Sequence, residues 1–260
     1  MSKNKKTKYT VISVLSIAVF LLIWELCTDI LKLAPGTMLP SPVTVAKTFI
    51  ARLYDPRPDG ATLIQHMLAS MKVALTGYAL GAFIGIPLAI LMAWYKPTDL
   101  FVTPVFDLLR PIPGIAWIPI FIIIFGIGNL SRAIVIFVSA FIACVVNTYS
   151  GIKQTKQVHL WVGRTFGATN RQLLFRIAIP SSLPMVLTGL KVSLGSAWSA
   201  LVAAELLASA RGLGFMIQQS RGIYRPDIII VGMLAIGGVG ALLTYLLSCL
   251  ERGILKGGRW

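Results

Sequence analysis

The sequence predicts an all-α integral membrane protein with about six transmembrane helices. Its 260 residues are 56% hydrophobic and only 13% charged, with a mean hydropathy of +0.80. A water-soluble domain is roughly 45–50% apolar and ~25% charged. Too little polar material remains to cover a surface facing water, so the surplus must face lipid. The apolar residues also fall in long runs, and at ~20 residues per helical crossing the chain has room for five or six.

The net charge of +15 does not point to nucleic acid, because Lys and Arg lie mostly between the apolar runs and not on one basic face. Cys27, Cys144 and Cys249 are far apart in or beside apolar runs, as small packed residues are. With no CxxC pair and only His66 and His159, no metal site or cofactor is expected.

Taken in order, Lys3, Lys5, Lys6 and Lys8 precede the run Val11–Trp24, and Glu25, Cys27 and Asp29 stand where a cleavage site would need small residues. This predicts an uncleaved first span, about 10–30, with a cytoplasmic N-terminus. "LPSPVTVAKTFIARLYDPRPDG" follows as an extracytoplasmic loop, in which Val43, Val45, Phe49, Ile50 and Leu53 form one face of a short interfacial helix. The second span, about 63–95, carries Gly77, Gly81 and Gly85 at a spacing that lets a neighbouring helix approach closely. The third, about 100–125, is broken by Pro104, Pro111, Pro113 and Pro119, and bends are tolerated where backbone is buried in protein or lines a wet cavity. The fourth covers about 133–152, the fifth 185–208 and the sixth 228–250. We read residues 1–260 as one transmembrane domain.

Residues 153–180 form the long polar interruption of the second half, with Lys153, Lys156, Arg164, Arg171 and Arg176 and no acid. The pattern predicts two short helices meeting at Gly167, with Thr169 or Asn170 capping the second. Pro180 and Pro184 are expected to redirect the chain into the fifth span. With the N-terminus inside, thirteen basic residues fall on the cytoplasmic side and eight outside (Lys32, Lys47, Arg52, Arg57, Arg132, Arg211, Arg221 and Arg225). Both termini are therefore expected in the cytoplasm.

This loop, "HLWVGRTFGATNRQLLFRIAIP", resembles the coupling loop of ABC-importer permeases. Gly167, Ala168 and the "IAIP" ending at Pro180 match that signature. Its E-A-A positions fall on Trp161, Val162 and Gly163, of which only the small third residue keeps the pattern. "LLRPIPGIAWIPIFIIIFGIG" at 108–128, "WSALVAAELLASARGLGFMI" at 198–217, "LPSPVTV" and "IQHMLAS" are similar to stretches of the nitrate/sulfonate/taurine permeases, in that family's order, and most like the taurine-type members.

The resemblance implies a permease subunit in a prokaryotic plasma membrane, importing a small anion such as taurine or another organosulfonate. Permeases for nitrate and other small solutes are closely similar. It implies three protein partners: cytoplasmic ATPase subunits docked on the coupling loop, an extracytoplasmic substrate-binding protein, and a second permease copy. The chain has no GxxxxGK[ST] loop to hold nucleotide, so it is not expected to be an enzyme. The coupling residues on this reading are Trp161, Val162, Gly163, Arg164, Thr165, Phe166, Gly167, Ala168 and Pro180. An ion-coupled transporter would need more spans and internal repeats, and a membrane enzyme would need clustered His, Cys or carboxylates.

Within the spans, Lys72, Asp107, Arg110 and Glu205 should face the bundle or a wet path, since a charge at the bilayer centre costs on the order of 2.5–3.5 kcal/mol. Asp107 and Arg110, three apart, either pair with each other or serve the path, where Arg110 is the best candidate to meet a transported anion. Related permeases place a basic residue one position after Lys72, where this chain has Val73. Glu205 matches a family Glu and reads as a gate or structural anchor. Trp198 lies among the small residues Gly195, Ser199 and Ala203, which suits close packing or the lining of the path.

Overall fold

A computed structural model of the chain describes residues 3–31, 35–36 and 38–257. Of the residues in the charge count, Lys32 and Arg259 lie outside this set, as do the side chains of Lys3, Lys5, Lys6, Lys8 and Lys256. The described residues are helical and contain no strand. Five helical stretches are long and apolar enough to cross a membrane: Val11–Ile30, Leu63–Trp94, Asn129–Lys153, Asn170–Ala208 and Pro226–Leu255. The pair Lys96–Leu109 and Gly114–Phe125, bent by 82°, makes a sixth if it is one broken span. The chain divides into two compact units, Met1–His66 with Met216–Ile236, and Met67–Phe215 with Gly237–Trp260.

The first unit opens with α1 (Lys3–Glu25), which continues through a wider π turn at Leu26–Ile30. Its side chains from Val11 to Ile23 are exposed on every side, as expected of a helix solvated by lipid. Helix α2 (Pro42–Tyr54) is the short helix anticipated above, with Pro42 in its first turn and Ser41 Oγ accepting from Thr44 N at 3.4 Å.

Arg52, counted among the outer loop charges, is instead buried (3% exposed). Its guanidinium donates to Asp59 Oδ1 at 2.6 Å and to the carbonyls of Asp55, Arg57 and Ala61. The "DPRPDG" turn is thus folded around one side chain. His66 Nε2 lies 3.2 Å from Asp59 Oδ2. Burial pushes the Asp59 carboxyl up, but the neighbouring His66 and Arg52 outweigh it and hold it below the usual carboxylate range. Asp227, at the head of the sixth span, pairs with Arg225 at 2.7 Å and accepts from Thr48 Oγ1 at 2.9 Å.

The second unit is built around α3 (Leu63–Trp94), α6 (Asn129–Lys153) and α9 (Ile179–Ala208). The Gly77–Gly81–Gly85 stripe receives α6. A Cβ at Gly77 would stand 2.6 Å from the Ala133 carbonyl oxygen, one at Gly81 2.7 Å from Ala140 Cβ, and one at Gly85 3.2 Å from Cys144 Cβ. Helices α6 and α9 approach equally closely, Gly151 against Met185 and Gly189 against Asn147, where an added Cβ would come within 2.7 Å in each case. Ile118, Val135, Ala200 and Ala204 fill one core cluster, and Ala93, Ile152, Leu174 and Ala178 another. Close approach of small residues is the packing expected where lipid removes the hydrophobic drive between helices.

The third span breaks at Pro111 and Pro113. Helix α4 (Lys96–Leu109) ends at Arg110, and after Pro111 and Pro113 a 3₁₀ turn (Gly114–Trp117) leads into α5 (Ile118–Phe125). Pro104, by contrast, lies inside α4 without ending it, and Pro119 sits in the first turn of α5.

The fifth span departs from expectation. Pro180 and Pro184 do not redirect the chain: from Asn170 the backbone runs helically to Ala208, through α8 (Asn170–Leu173), a π turn (Leu174–Ala178) and α9. Proline in a helix lacks one N–H and crowds the carbonyl four residues back. The wider π turn, closed by Ile179 N on Leu174 O, falls just ahead of Pro180 and lets the helix continue past it.

Candidate functional site

Three arrangements in the second unit concern the residues singled out from the sequence. At the cytoplasmic loop, α7 (Gln157–Thr165) and α8 form a hairpin whose geometry is set locally. Gly167, at φ +77°, ends α7. Gly167 N bonds to Arg164 O at 2.9 Å and Ala168 N to Gly163 O at 3.0 Å, the paired bonds of a Schellman cap. Thr169 then starts α8 with a capping box: its Oγ1 accepts from Gln172 N, and its own N–H donates to Gln172 Oε1 at 2.8 Å. Gly163 is the contact point between the arms, since a Cβ there would stand 2.6 Å from Leu173 Cδ2 and 2.9 Å from Ile177 Cδ1.

The hairpin buries Leu160 and Leu173 and turns its largest apolar groups outward. Trp161 is 60% and Phe166 86% exposed, with Val158 and Val162 beside them. Arg164, Thr165, Gly167 and the basic Lys156 and Arg171 are exposed as well, while Ala168 and Pro180 are half-buried. The hairpin therefore presents an apolar patch rimmed by cations on a turn fixed by its caps, and exposed patches of that kind are a common mark of interaction surfaces.

A second arrangement surrounds Glu205, which is 1% exposed near the end of α9. Its carboxylate accepts from Ser70 Oγ at 2.8 Å and from Gly214 N at 2.9 Å, and Arg132 Nη1 lies 3.6 Å away. Ser70 Oγ in turn accepts from Leu213 N at 2.9 Å. Arg132 also donates to Ser209 Oγ at 2.7 Å, Arg211 O at 3.2 Å, Gly128 O at 3.2 Å and Asn129 Oδ1. A Cβ at Gly212, whose φ is +144°, would collide with the Glu205 carboxylate, and one at Gly214 would stand 2.7 Å from Glu205 Cβ. The segment 209–214 is thereby tied to α3, α6 and α9 through one buried carboxylate. Sequence reasoning singled out Glu205 but not Ser70, Arg132, Gly212 or Gly214. The available signal was a serine within an apolar span and an arginine four residues after Gly128, in the first turns of the fourth span.

The third arrangement is a cavity of about 260 Å³ at the break in the third span. Arg110, Ile112 and Gly114 line it from the break, Ser139 and Ile142 from α6, and Ser196, Ser199 and Ala200 from α9. Arg110 makes no ion pair with Asp107, and both are exposed. Along α9 as far as Ser199 the exposed positions are Ser181, Pro184, Thr188, Val192, Gly195, Ser196 and Ser199, a mostly small and hydroxyl-bearing stripe unlike the Leu, Ile and Phe surface of α1, and Leu207 is exposed beyond it. Trp198 points the other way: it is 9% exposed, and its Nε1 would stand 2.9 Å from a Cβ at Gly240. Lys72 is exposed on α3 while Val73 is buried. The structure thus places Arg110 and Ser199 together at the cavity, and Glu205 in the network just described, with Trp198 and Lys72 in neither.

Residues 85–256 match the family described as the binding-protein-dependent transport system inner membrane component. The chain belongs to that family. As one of its inner membrane components, it is a multi-pass permease subunit of an ABC importer. The permease is 32% identical over 246 residues to the taurine transport system permease protein TauC of Escherichia coli, with 95% of this chain and 89% of that one covered. It is 34% identical over 240 residues to the nitrate import permease protein NrtB of Synechocystis sp. (91% and 86% covered). It is 31% identical over 241 residues to the bicarbonate transport system permease protein CmpB of the same organism (92% and 86% covered). In fold the permease is similar to a chain of the MetNI methionine ABC transporter in an inward-facing conformation, with a TM-score of 0.63 and 19% identity. That likeness covers 75% of this chain and 95% of that one.

Proposed function

We propose that residues 1–260 act as one permease domain that carries a small anion inward, taurine or another organosulfonate first, powered by a separate ATPase that docks on the 157–168 hairpin. The observation that carries this reading is the outward display of Trp161, Val162 and Phe166 on a turn fixed by Gly163, Gly167 and Thr169. Large apolar side chains are exposed to water at a cost unless something covers them, and Arg164 and Arg171 beside them suit an acidic rim on the ATPase. The family supports an extracytoplasmic binding protein delivering solute and a second permease copy, and the bias of basic residues favours both termini in the cytoplasm. The taurine, nitrate and bicarbonate in the relatives' names all carry an oxyanion group, so nitrate or another small oxyanion is the alternative cargo. Arg110 faces the path on this reading, and Glu205 anchors its outer end.

The test is purification of the tagged permease from its native host in mild detergent. An ATPase that accompanies the native chain and is lost from Trp161→Ala or Phe166→Ser protein is the expected result. A permease that purifies alone and moves taurine unaided in vesicles would overturn the proposal.

A further inference from the structure

We propose that the cavity at the break in the third span holds the oxyanion head group of the imported solute, with Arg110 as the charged anchor and Ser139, Ser196 and Ser199 as the hydroxyl lining. This rests on the importer reading and adds to it that the membrane subunit itself reads the head group, in addition to whatever its binding protein selects.

Three observations converge. Three cations in the helices of the second unit face carboxylates: Arg132 lies 3.6 Å from Glu205, Lys191 2.7 Å from Glu251, and Lys153 3.3 Å from Asp99. Arg110 has no such partner among the described residues, and no acid lines its cavity. Lys72, Lys96, Arg171, Arg176 and Arg252 also form no ion pair among the described residues, but none of them lines this cavity. A guanidinium keeps its charge at any working pH and offers a planar fork that fits two oxygens of a sulfonate or nitrate at once.

The hydroxyls are placed to serve the same guest. Ser139 and Ser196 now donate to carbonyls of their own helices, Val135 at 3.0 Å and Val192 at 3.1 Å. Such a hydroxyl rotates freely and can donate to an anion instead. Ser199, one turn after Ser196, has no bond of that kind among the described residues. Finally, about 260 Å³ is small beside the roughly 300–1,000 Å³ of pockets for larger ligands. Ile112 and Ile142 make the rest of the wall apolar. The cavity therefore fits a charged head with a short hydrocarbon tail, which favours an organosulfonate over bare nitrate.

The test uses the complete permease–ATPase complex in lipid nanodiscs without its binding protein, titrated calorimetrically with taurine, ethanesulfonate and nitrate, and with choline as the cationic control. Saturable binding of an oxyanion, and none of choline, is the expected result. Arg110→Gln should weaken it about tenfold or more, Arg110→Lys less, and Ser199→Val by an intermediate factor. In uptake assays the Gln variant should show a raised KM for the solute.

The proposal is overturned if the native complex, ATPase attached, binds none of the three anions, or if Arg110→Gln binds as the native chain does. It is also overturned if Arg110→Gln separates the complex into single permease copies, which would make Arg110 an interface residue. Should Arg110→Gln fail to fold, Ser199→Val and Ser139→Ala decide, and unchanged binding in both overturns it. A native permease that brings no ATPase would count against the importer reading instead.

Discussion

Glu205 shows how much one side chain can hold in a span. With Arg132 beside it and Ser70 and Gly214 donating to it, the carboxylate is buried and fully engaged. Breaking a buried pair by removing one charge costs on the order of 3 kcal/mol or more, because the other charge is left uncompensated. Glu205→Gln is expected to lower the thermal unfolding midpoint of the detergent-purified protein, and adding Arg132→Met should recover part of the loss. Gly212→Ala should also destabilise, since the new methyl meets the carboxylate at a φ that suits only glycine. A midpoint unmoved by either change would show that the network carries little of the stability.

Asp59 makes a different prediction. Its carboxyl is held below the usual range, so its contribution is present above the unfolded pKa of about 4 and is lost as pH falls through the lower folded value. Limited proteolysis of the 52–62 segment should therefore accelerate only on acidification below about pH 4, and Asp59→Asn should show the same cleavage at neutral pH. Equal cleavage of both proteins at pH 7 would refute this.

At the scale of the element, the hairpin separates surface from scaffold. Trp161→Ala and Phe166→Ser alter exposed groups and should leave the melting midpoint within a degree or two while removing the ATPase. Gly167→Ala forces a side chain into the left-handed region, at a cost of about 1 kcal/mol, and Gly163→Leu would push the arms apart. Both should lower the midpoint and the recovery of ATPase together.

This hairpin was legible in the sequence because its determinants are local: Gly167 and Thr169 act on residues within five positions. The same holds for Ser41 and Pro42 at the start of α2 and for the Gly77–Gly81–Gly85 stripe. The fifth span was misread for a physical reason. Pro180 looks like a stop, and only the π turn at 174–178, which no single residue announces, lets the helix pass. The Glu205 network was illegible because it joins residues 135 positions apart, and no periodicity links Ser70 to Gly214. Arg52 looked like a solvated loop charge because the carbonyls that surround it exist only once "DPRPDG" has folded.

For the whole molecule, the spans follow from hydropathy and length, whereas the orientation rests on a bias in charge. Arg52 and Arg132, two of the eight basic residues assigned outside, pair with Asp59 and Glu205, and Lys153, assigned inside, pairs with Asp99, so labelling decides the orientation. With Cys27, Cys144 and Cys249 replaced by alanine, a cysteine introduced by Pro56→Cys should react with a membrane-impermeant maleimide in intact cells. One introduced by Gln154→Cys should react only after lysis, and the reverse pattern would invert the proposed topology.

The unbroken helical run from Asn170 to Ala208 has a mechanical meaning. Thirty-nine residues make a rod about 58 Å long, with the arm carrying Trp161 and Phe166 clamped at one end through Gly163 and Glu205 near the other. A tilt of ~10° about one end would sweep the far end through ~10 Å. A stiff lever delivers force at its tip without storing it along the way, and the widened turn at 174–178 is the joint most able to absorb it. Two glycines inserted after Ala178 should therefore leave the ATPase bound and stop uptake, because the stroke would be spent in the slack.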